Sequence, residues 1–217
     1  MRELSSYIQG NMFTARIERK FLMSAGQSYK AKMLFKSFHF KKAFPDRKVS
    51  SYYFDTIDFD ALRENIDGVN IRDKLRVRYY NDDLSTSKIE IKHKRGDVGY
   101  KTNINLSCVF SDKHMLIKNV SDWCSINVNS NLIPTTHINY DRLYYERQWL
   151  RATFDTKIRA YRVVGSKLVP SPMREYEVIE FKYPVEYDND FRDIYKELNW
   201  IALRNTKSSK YSNALMY

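Results

Sequence analysis

The sequence is short of the residues that mark several protein classes. It has two cysteines, Cys108 and Cys124. Neither belongs to a CxxC pair or a Cys/His cluster, which argues against a disulfide scaffold and a structural zinc site and suggests reduced thiols. Glycine and proline number only 6 and 5 in 217 residues, so long flexible linkers and low-complexity segments are absent, and no internal repeat appears. No stretch approaches the roughly 20 apolar residues of a membrane-spanning helix. The opening residues have no apolar run of signal-peptide length, so the expected location is cytoplasmic. Residues 1–13 read as an N-terminal extension and 14–217 as a single domain.

What is present is core-forming material and positive charge. Hydrophobic residues make up 43% of the chain and aromatics 15%, more than a disordered chain carries. Lys and Arg total 37 against 26 for Asp and Glu, a formal charge of +11. Such an excess biases partners toward anions: nucleic acid, acidic membrane or phosphorylated molecules.

Local patterns give an α+β fold with a large, mostly antiparallel, curled sheet. Thr14–Phe21 reads as an opening strand. Ser24 is positioned to cap a helix whose apolar residues Ala31, Leu34, Phe35 and Phe38 follow helical spacing and which Pro45 would stop near Phe44. Lys48–Phe54 is rich in β-formers, and Ile57–Glu64 reads as a short helix. Arg72–Tyr80 and Lys88–Lys94 form a hairpin around Asn81-Asp82-Asp83. Strands are also expected at Tyr100–Leu106, Thr135–Glu146, Trp149–Thr156 and Glu175–Tyr183, with helices at Ser111–Cys124 and Asp188–Ile201. The last twelve residues show no periodicity.

Alternation within these strands carries the chemistry, because successive side chains face opposite sides. Arg72, Lys74, Arg76 and Arg78 share one face, with Asp73, Leu75, Val77 and Tyr79 on the other. Lys88, Glu90, Lys92 and Lys94 alternate with Ile89 and Ile91. Arg16, Glu18 and Lys20 share a face, as do Arg151, Thr153 and Asp155, and Glu180 and Lys182. One such strand is ordinary, since antiparallel sheets have a wet face. Five together are not, because Lys and Arg outnumber carboxylates across the charged faces taken as a set. At an effective dielectric near 20, two cations about 6 Å apart repel by roughly 3 kcal/mol. A fold tolerates that when an anion sits between them. A curled sheet converges its inner side chains on one axis, and a basic lining would grip successive phosphates of a thin polyanion. Glu18, Glu90 and Glu180 are the carboxylates available to hold a Mg²⁺ or Mn²⁺ bridging protein to phosphate.

Eight short strings in order then match a known family: Arg16-Ile-Glu18-Arg-Lys20-Phe21, Tyr53-Phe-Asp55-Thr56, Lys74-Leu-Arg76-Val-Arg78-Tyr79, Ile89-Glu90-Ile-Lys92-His-Lys94, Tyr140-Asp-Arg142, Arg151-Ala-Thr-Phe-Asp155-Thr156, Glu180-Phe-Lys182-Tyr183 and Ser209-Lys210-Tyr211. The chain resembles the VTC domain, the polyphosphate polymerase branch of the triphosphate tunnel metalloenzymes, from about Thr14 to Tyr211. The resemblance implies an antiparallel β-barrel with a charged interior and flanking helices. It also implies a phosphotransferase moving the γ-phosphoryl of ATP onto a polyphosphate chain with Mn²⁺ or Mg²⁺. Lys20, Arg76, Arg78, Lys92, Arg142 and Arg151 match phosphate-binding positions. Lys74, Lys94 and Lys182 fall on the same faces as lining, and Lys101 and either Arg63 or Arg72 are further candidates. Glu180 matches a metal-holding glutamate, with Glu18 a second, and Lys210 matches a lysine near the transferred phosphoryl. Lys210, Glu180 and Lys92 form the implied catalytic set.

The superfamily also contains triphosphatases and adenylate cyclases, so the fold leaves the reaction open. Eukaryotic VTC proteins add an inositol-phosphate sensing domain and membrane helices; these 217 residues hold neither, so no membrane translocation of product is expected. The expected partners are ATP, triphosphate or polyphosphate. A non-catalytic polyphosphate or RNA binder is the other class, but the aromatics fall mostly opposite the cations, so no specific nucleic-acid partner is expected. Lys207 and Lys210 also suit a solvated tail. The four histidines lack ligand spacing, Tyr52, Tyr53, Tyr79 and Tyr80 read as sheet packing, and Asp55 and Asp155, each before a threonine, also suit turn caps.

Overall fold

A computed structural model describes residues 16–216 apart from 97, 107–108, 129, 199–200, 204 and 207. The N-terminal extension, Cys108 and Lys207 lie outside the described residues. Within them the chain runs β1 (Arg16–Met23), α1 (Ala25–Ser37), β2 (Lys41–Asp55), α2 (Asp60–Ile66), β3 (Ile71–Tyr80), β4 (Asp83–Arg95), β5 (Val98–Asn105), α3 (Lys113–Asn127), β6 (Ile133–Arg147), β7 (Leu150–Val164), β8 (Lys167–Pro170), β9 (Glu177–Pro184), α4 (Asp188–Leu198) and α5 (Lys210–Leu215). No helix among these residues is long and apolar enough to cross a membrane.

The strands make one antiparallel sheet in the order β1-β9-β7-β6-β2-β3-β4-β5, with β8 added beside β7. The hairpin expected at Asn81-Asp82 is present. Both residues take left-handed φ, 53° and 58°, as a two-residue turn matching strand twist requires. The Asn81 side chain accepts from the Lys48 amide at 3.0 Å and its own amide donates back to the Lys48 carbonyl, locking the turn to β2.

Helix α1 starts where Ser24 predicts. The Gln27 amide donates to Ser24 Oγ and the Ser24 amide to Gln27 Oε1, a reciprocal cap. It ends at Ser37, earlier than expected, because His39 turns the chain through a left-handed φ of 57° and Phe40 stacks on Phe35 with ring centroids 4.1 Å apart. Pro45 therefore stops no helix. It lies in β2, where the register against β6 shifts between Phe44 and Arg47 and the ladder tolerates a missing donor. The tail, whose sequence shows no periodicity, forms α5.

Two apolar clusters lie on the outer side of the sheet. Phe21, Phe154, Ile179 and Phe181 pack under Phe35 of α1 and Phe191 of α4. Tyr52, Leu75, Val77, Tyr79 and Ile89 pack under Leu116, Val120 and Cys124 of α3. Each fully buried Phe or Leu contributes about 2–3 kcal/mol of transfer free energy. This matches the expectation that the apolar faces turn outward beneath helices. A third cluster, Val49, Tyr53, Ile138, Tyr140 and Ala160, lies on the inner face and is covered by Tyr211 and Ala214 of α5. It exists because β7, longer than its sequence pattern suggested, bulges at Lys157 (φ 51°), where the register against β6 jumps. The bulge turns Lys157 out to Asp141 and puts Ile158 and Ala160 inside.

Candidate active site

Pairing register gathers the charged residues on the inner face. Tyr53 lies opposite Arg76, Ser51 opposite Arg78, Arg76 opposite Glu90 and Lys74 opposite Lys92. Arg142 lies opposite Asp155, Thr153 opposite Glu180, Glu180 opposite Lys20 and Lys182 opposite Glu18. The hydrogen-bonded path is open between β1 and β5, yet the sheet curls until a side chain of β1 meets one of β4, the strand next to the far edge. Lys92 Nζ on β4 stands 3.4 Å from Glu18 Oε2 on β1.

The cations are held by three anionic centres. Glu90 is the first. Its Oε2 takes Arg76 at 2.6 and 2.8 Å and faces Arg78 at 3.5 Å, and its Oε1 takes Lys101 at 2.9 Å. Burial raises the Glu90 pKa, but these three cations outweigh it and hold the carboxyl well below its usual range. Both oxygens are thus spent on arginines and a lysine. Glu90 is a counter-ion that aims Arg76 and Arg78, rather than the free metal ligand that its strand position suggested.

Asp155 is the second. Burial is opposed by Arg142, bidentate at 2.6 and 2.7 Å, and by Lys210 at 2.6 Å, so its pKa falls to about 2. Mid-strand and fully buried, Asp155 caps no turn. Asp55 does. It accepts from the amides of Thr56, Ala61 and Leu62 at the start of α2, and from Tyr211 Oη at 2.6 Å. That last bond, Asn65 Nδ2 donating to Ser212 Oγ at 2.6 Å, and the Tyr53–Tyr211 stack at 5.1 Å fix α5 so that Lys210 reaches Asp155. The tail reading of Lys210 is therefore corrected: its ammonium is buried in the inner face.

Glu180 with Glu18 is the third. Lys182 Nζ bridges them, 3.0 Å from an oxygen of each. Burial opposes ionisation of both; Lys182 and Lys20 outweigh it at Glu180, and Lys182 and Lys92 at Glu18. Both are carboxylates at neutral pH. The donor set suits a hard divalent cation that takes one or two carboxylates and completes its shell with phosphate oxygens and water. Among the described residues no group of three or more His, Cys, Asp or Glu is assembled.

Every residue of the implied site falls on this face. Lys20, Lys74, Arg76, Arg78, Lys92, Arg142, Lys182, Lys210, Glu18 and Glu180 lie together there with their charges acting on one another, and Lys101 joins them through Glu90. Lys94 continues the β4 face across from Arg72. Arg151 continues the β7 face across from Lys182 and is exposed. Of the alternatives, Arg63 pairs with Asp60 on exposed α2, while Arg72 lies beside Lys74 on the inner face of β3.

Tyr53 packs in the core as its sequence reading expects, but it and Tyr140, to which that reading gives no role of its own, also belong to the charged face. They lie among the cations, with Tyr53 Oη 2.9 Å from Arg76 and Tyr140 Oη 3.2 Å from Arg78. Their rings are not free stacking platforms: Tyr53 stacks on Tyr211, and Tyr140 lies under the Arg142 and Lys210 cations. Alternation contained the signal, because Tyr53 and Ser51 share a strand face and Tyr140 shares one with Arg142. Of the histidines, His93 sits between Asp73 and Thr102 on the outer face, and His137 is buried against Tyr52.

The fold recurs in solved structures. A Vibrio parahaemolyticus protein proposed to be an adenylate cyclase superposes with TM-score 0.55 at 12% identity, over 95% of this chain and 100% of that one. The PH1819 protein of Pyrococcus horikoshii gives 0.52 at 12%, over 93% and 98%. A Hippeastrum protein described as having a dominant triphosphatase activity gives 0.52 at 12%, over 91% and 94%. No curated protein matches the sequence. The VTC domain family model matches residues 15–217, nearly the whole chain and all the residues that build the inner face, and the protein belongs to the VTC domain family.

Proposed function

We propose that the inner face binds a triphosphate or polyphosphate chain and catalyses metal-dependent phosphoryl transfer, moving the γ-phosphoryl of ATP onto a polyphosphate end. The observation that carries this reading is a gathering of lysines and arginines around Glu90, Asp155 and a separate carboxylate pair, Glu18 and Glu180, on one face of a single curled sheet. A solvated wet face needs no such buried assembly.

Phosphoryl transfer asks a protein chiefly for positioning and charge neutralisation. Arg76, Arg78 and Arg142 have fixed guanidinium planes and would hold non-bridging oxygens. Lys20, Lys74, Lys94, Arg151 and Lys182 would extend the grip along the chain. Lys210 and Lys92 would neutralise charge on the transferred group as the bond to the β–γ bridging oxygen breaks and ADP leaves with that electron pair. The new bond forms to a terminal oxygen of the acceptor chain. A Mg²⁺ or Mn²⁺ held by Glu180 and Glu18 would supply further neutralisation of phosphate charge.

Water as acceptor would give a triphosphatase, the activity stated for the Hippeastrum protein that shares the fold. One experiment separates the two. Purified protein is incubated with ATP, or with inorganic triphosphate, plus Mn²⁺ or Mg²⁺, and products are resolved by size. Long polyphosphate plus ADP supports the polymerase. Free phosphate without chain growth replaces it with the triphosphatase. Neither product, despite triphosphate binding, overturns the enzymatic reading.

A further inference from the structure

Lys74 differs from four other cations of the inner face in what it touches. Lys210, Arg142, Arg76 and Lys182 each contact a carboxylate. Lys74 Nζ donates to Asn65 Oδ1 at 2.5 Å and Ser209 Oγ at 3.3 Å, both neutral. Among the described residues no carboxylate lies within ion-pair distance of it.

The charged groups around it are mostly of its own sign. Lys92 is its cross-strand neighbour on β4, Arg72 and Arg76 flank it on β3, and Lys20 acts on it from β1. From α5, Lys210 is committed to Asp155. Asp55 at the end of β2 acts on it with the opposite sign and less strongly than Arg72, Lys92 and Lys20, and its oxygens are already engaged by three backbone amides and Tyr211. Burial first, then Arg72, Lys92 and Lys20, lower its pKa to about 7.

We propose that Lys74 is a proton-coupled anchor: it takes up a proton as the phosphate chain enters, so the ligand creates part of the charge that holds it. The anion brings the counter-charge that the empty face lacks, and the ammonium becomes the favoured form. This rests on the reading that the inner face binds polyphosphate. It adds that binding consumes a proton at one named residue and weakens with rising pH through that residue.

The test is calorimetric titration of the full chain with inorganic triphosphate, with chelator and no metal, in buffers of different ionisation enthalpy. The dependence of observed heat on buffer counts protons taken up. At pH 8, wild type is expected to absorb about 0.9 proton more than Lys74→Arg, whose guanidinium stays charged. The wild-type affinity deficit relative to Lys74→Arg should grow about tenfold per pH unit above neutrality. Should Lys74→Arg misfold, Lys74→Gln is expected to lose the same uptake. In addition, wild type labelled at lysine Cε should show one lysine titrating near neutrality that stops doing so when triphosphate is added. Binding with equal proton uptake in wild type and variant overturns the inference. Failure of wild type to bind triphosphate overturns the proposed function instead.

Discussion

Lys92 and Glu18 meet across the open side of the sheet, ammonium to carboxylate at 3.4 Å, although 74 residues separate them. Among the described residues no backbone pairing joins β1 to the edge strand β5, and this pair links β1 to β4, the strand next to that edge. Both groups are substantially exposed, at 53% and 36% of their side-chain surface, and an ion pair in that setting contributes roughly 0–1 kcal/mol.

Lys92→Ala is therefore expected to leave stability within about 1 kcal/mol of wild type. Triphosphate affinity should fall about tenfold, the loss of about 1.4 kcal/mol of charge neutralisation. Denaturant melts and binding titrations measure the two. A large stability loss with unchanged affinity would assign Lys92 to closure of the sheet.

Asp155 should behave in the opposite way, because it is buried between Arg142 and Lys210. Asp155→Asn leaves two cations facing each other without a counter-charge, at a cost of about 3–5 kcal/mol. The native pKa of about 2 lies below the unfolded value, so the stabilisation is complete above roughly pH 4 and is lost as pH falls toward 2. Melts from pH 2 to 7 should show the gap between wild type and Asp155→Asn narrowing by about 2 kcal/mol at the acid end. A gap that does not change with pH would refute the charge account.

Glu180→Ala is expected to lower metal-dependent product formation by at least about 100-fold, the scale of losing a group that stabilises transition-state charge. Triphosphate binding without metal should persist or tighten, since a negative charge leaves a basic face. Glu180→Gln should share the catalytic loss. Activity of Glu180→Ala equal to wild type, with metal present, would remove Glu180 from the metal role.

His137 gives a prediction unrelated to the site. Both its ring nitrogens are buried with no hydrogen-bond partner among the described residues. Burial, reinforced by Lys113, lowers its pKa to about 4. The unfolded chain binds the proton more readily, so stability holds above about pH 6.5 and falls by up to about 3 kcal/mol as pH drops toward 4. His137→Phe should flatten that slope. An unchanged slope in stability against pH would locate the acid sensitivity elsewhere.

Some elements were legible because their signals are local. The β3–β4 hairpin follows from alternation and from Asn81-Asp82, two residues that accept left-handed φ. The start of α1 follows from Ser24 and Gln27. Its end did not, because the stop comes from Phe40 folding back on Phe35, a tertiary contact. Helix α5 has six residues, too few to show periodicity. It exists because Tyr211, Ser212 and Ala214 find partners on α2, β2, β6 and the segment after β8.

The candidate site divides along the same line. The period of two in a strand is a property of the backbone, so the sequence alone determined that Lys and Arg of five strands share one face while Leu, Val, Ile and Phe share the other. The matched motifs then named most of the residues on that face. Only the tertiary structure decided which carboxylates serve as counter-ions and which stand apart. Glu90 and Asp155 are consumed by arginines and lysines, Glu18 and Glu180 are left as a pair, and Lys74 is left without an anion. Those outcomes depend on how far the sheet curls and on which side chains from distant strands arrive within 3–4 Å, and charge pairing at that range is set by position in space, which strand periodicity does not encode.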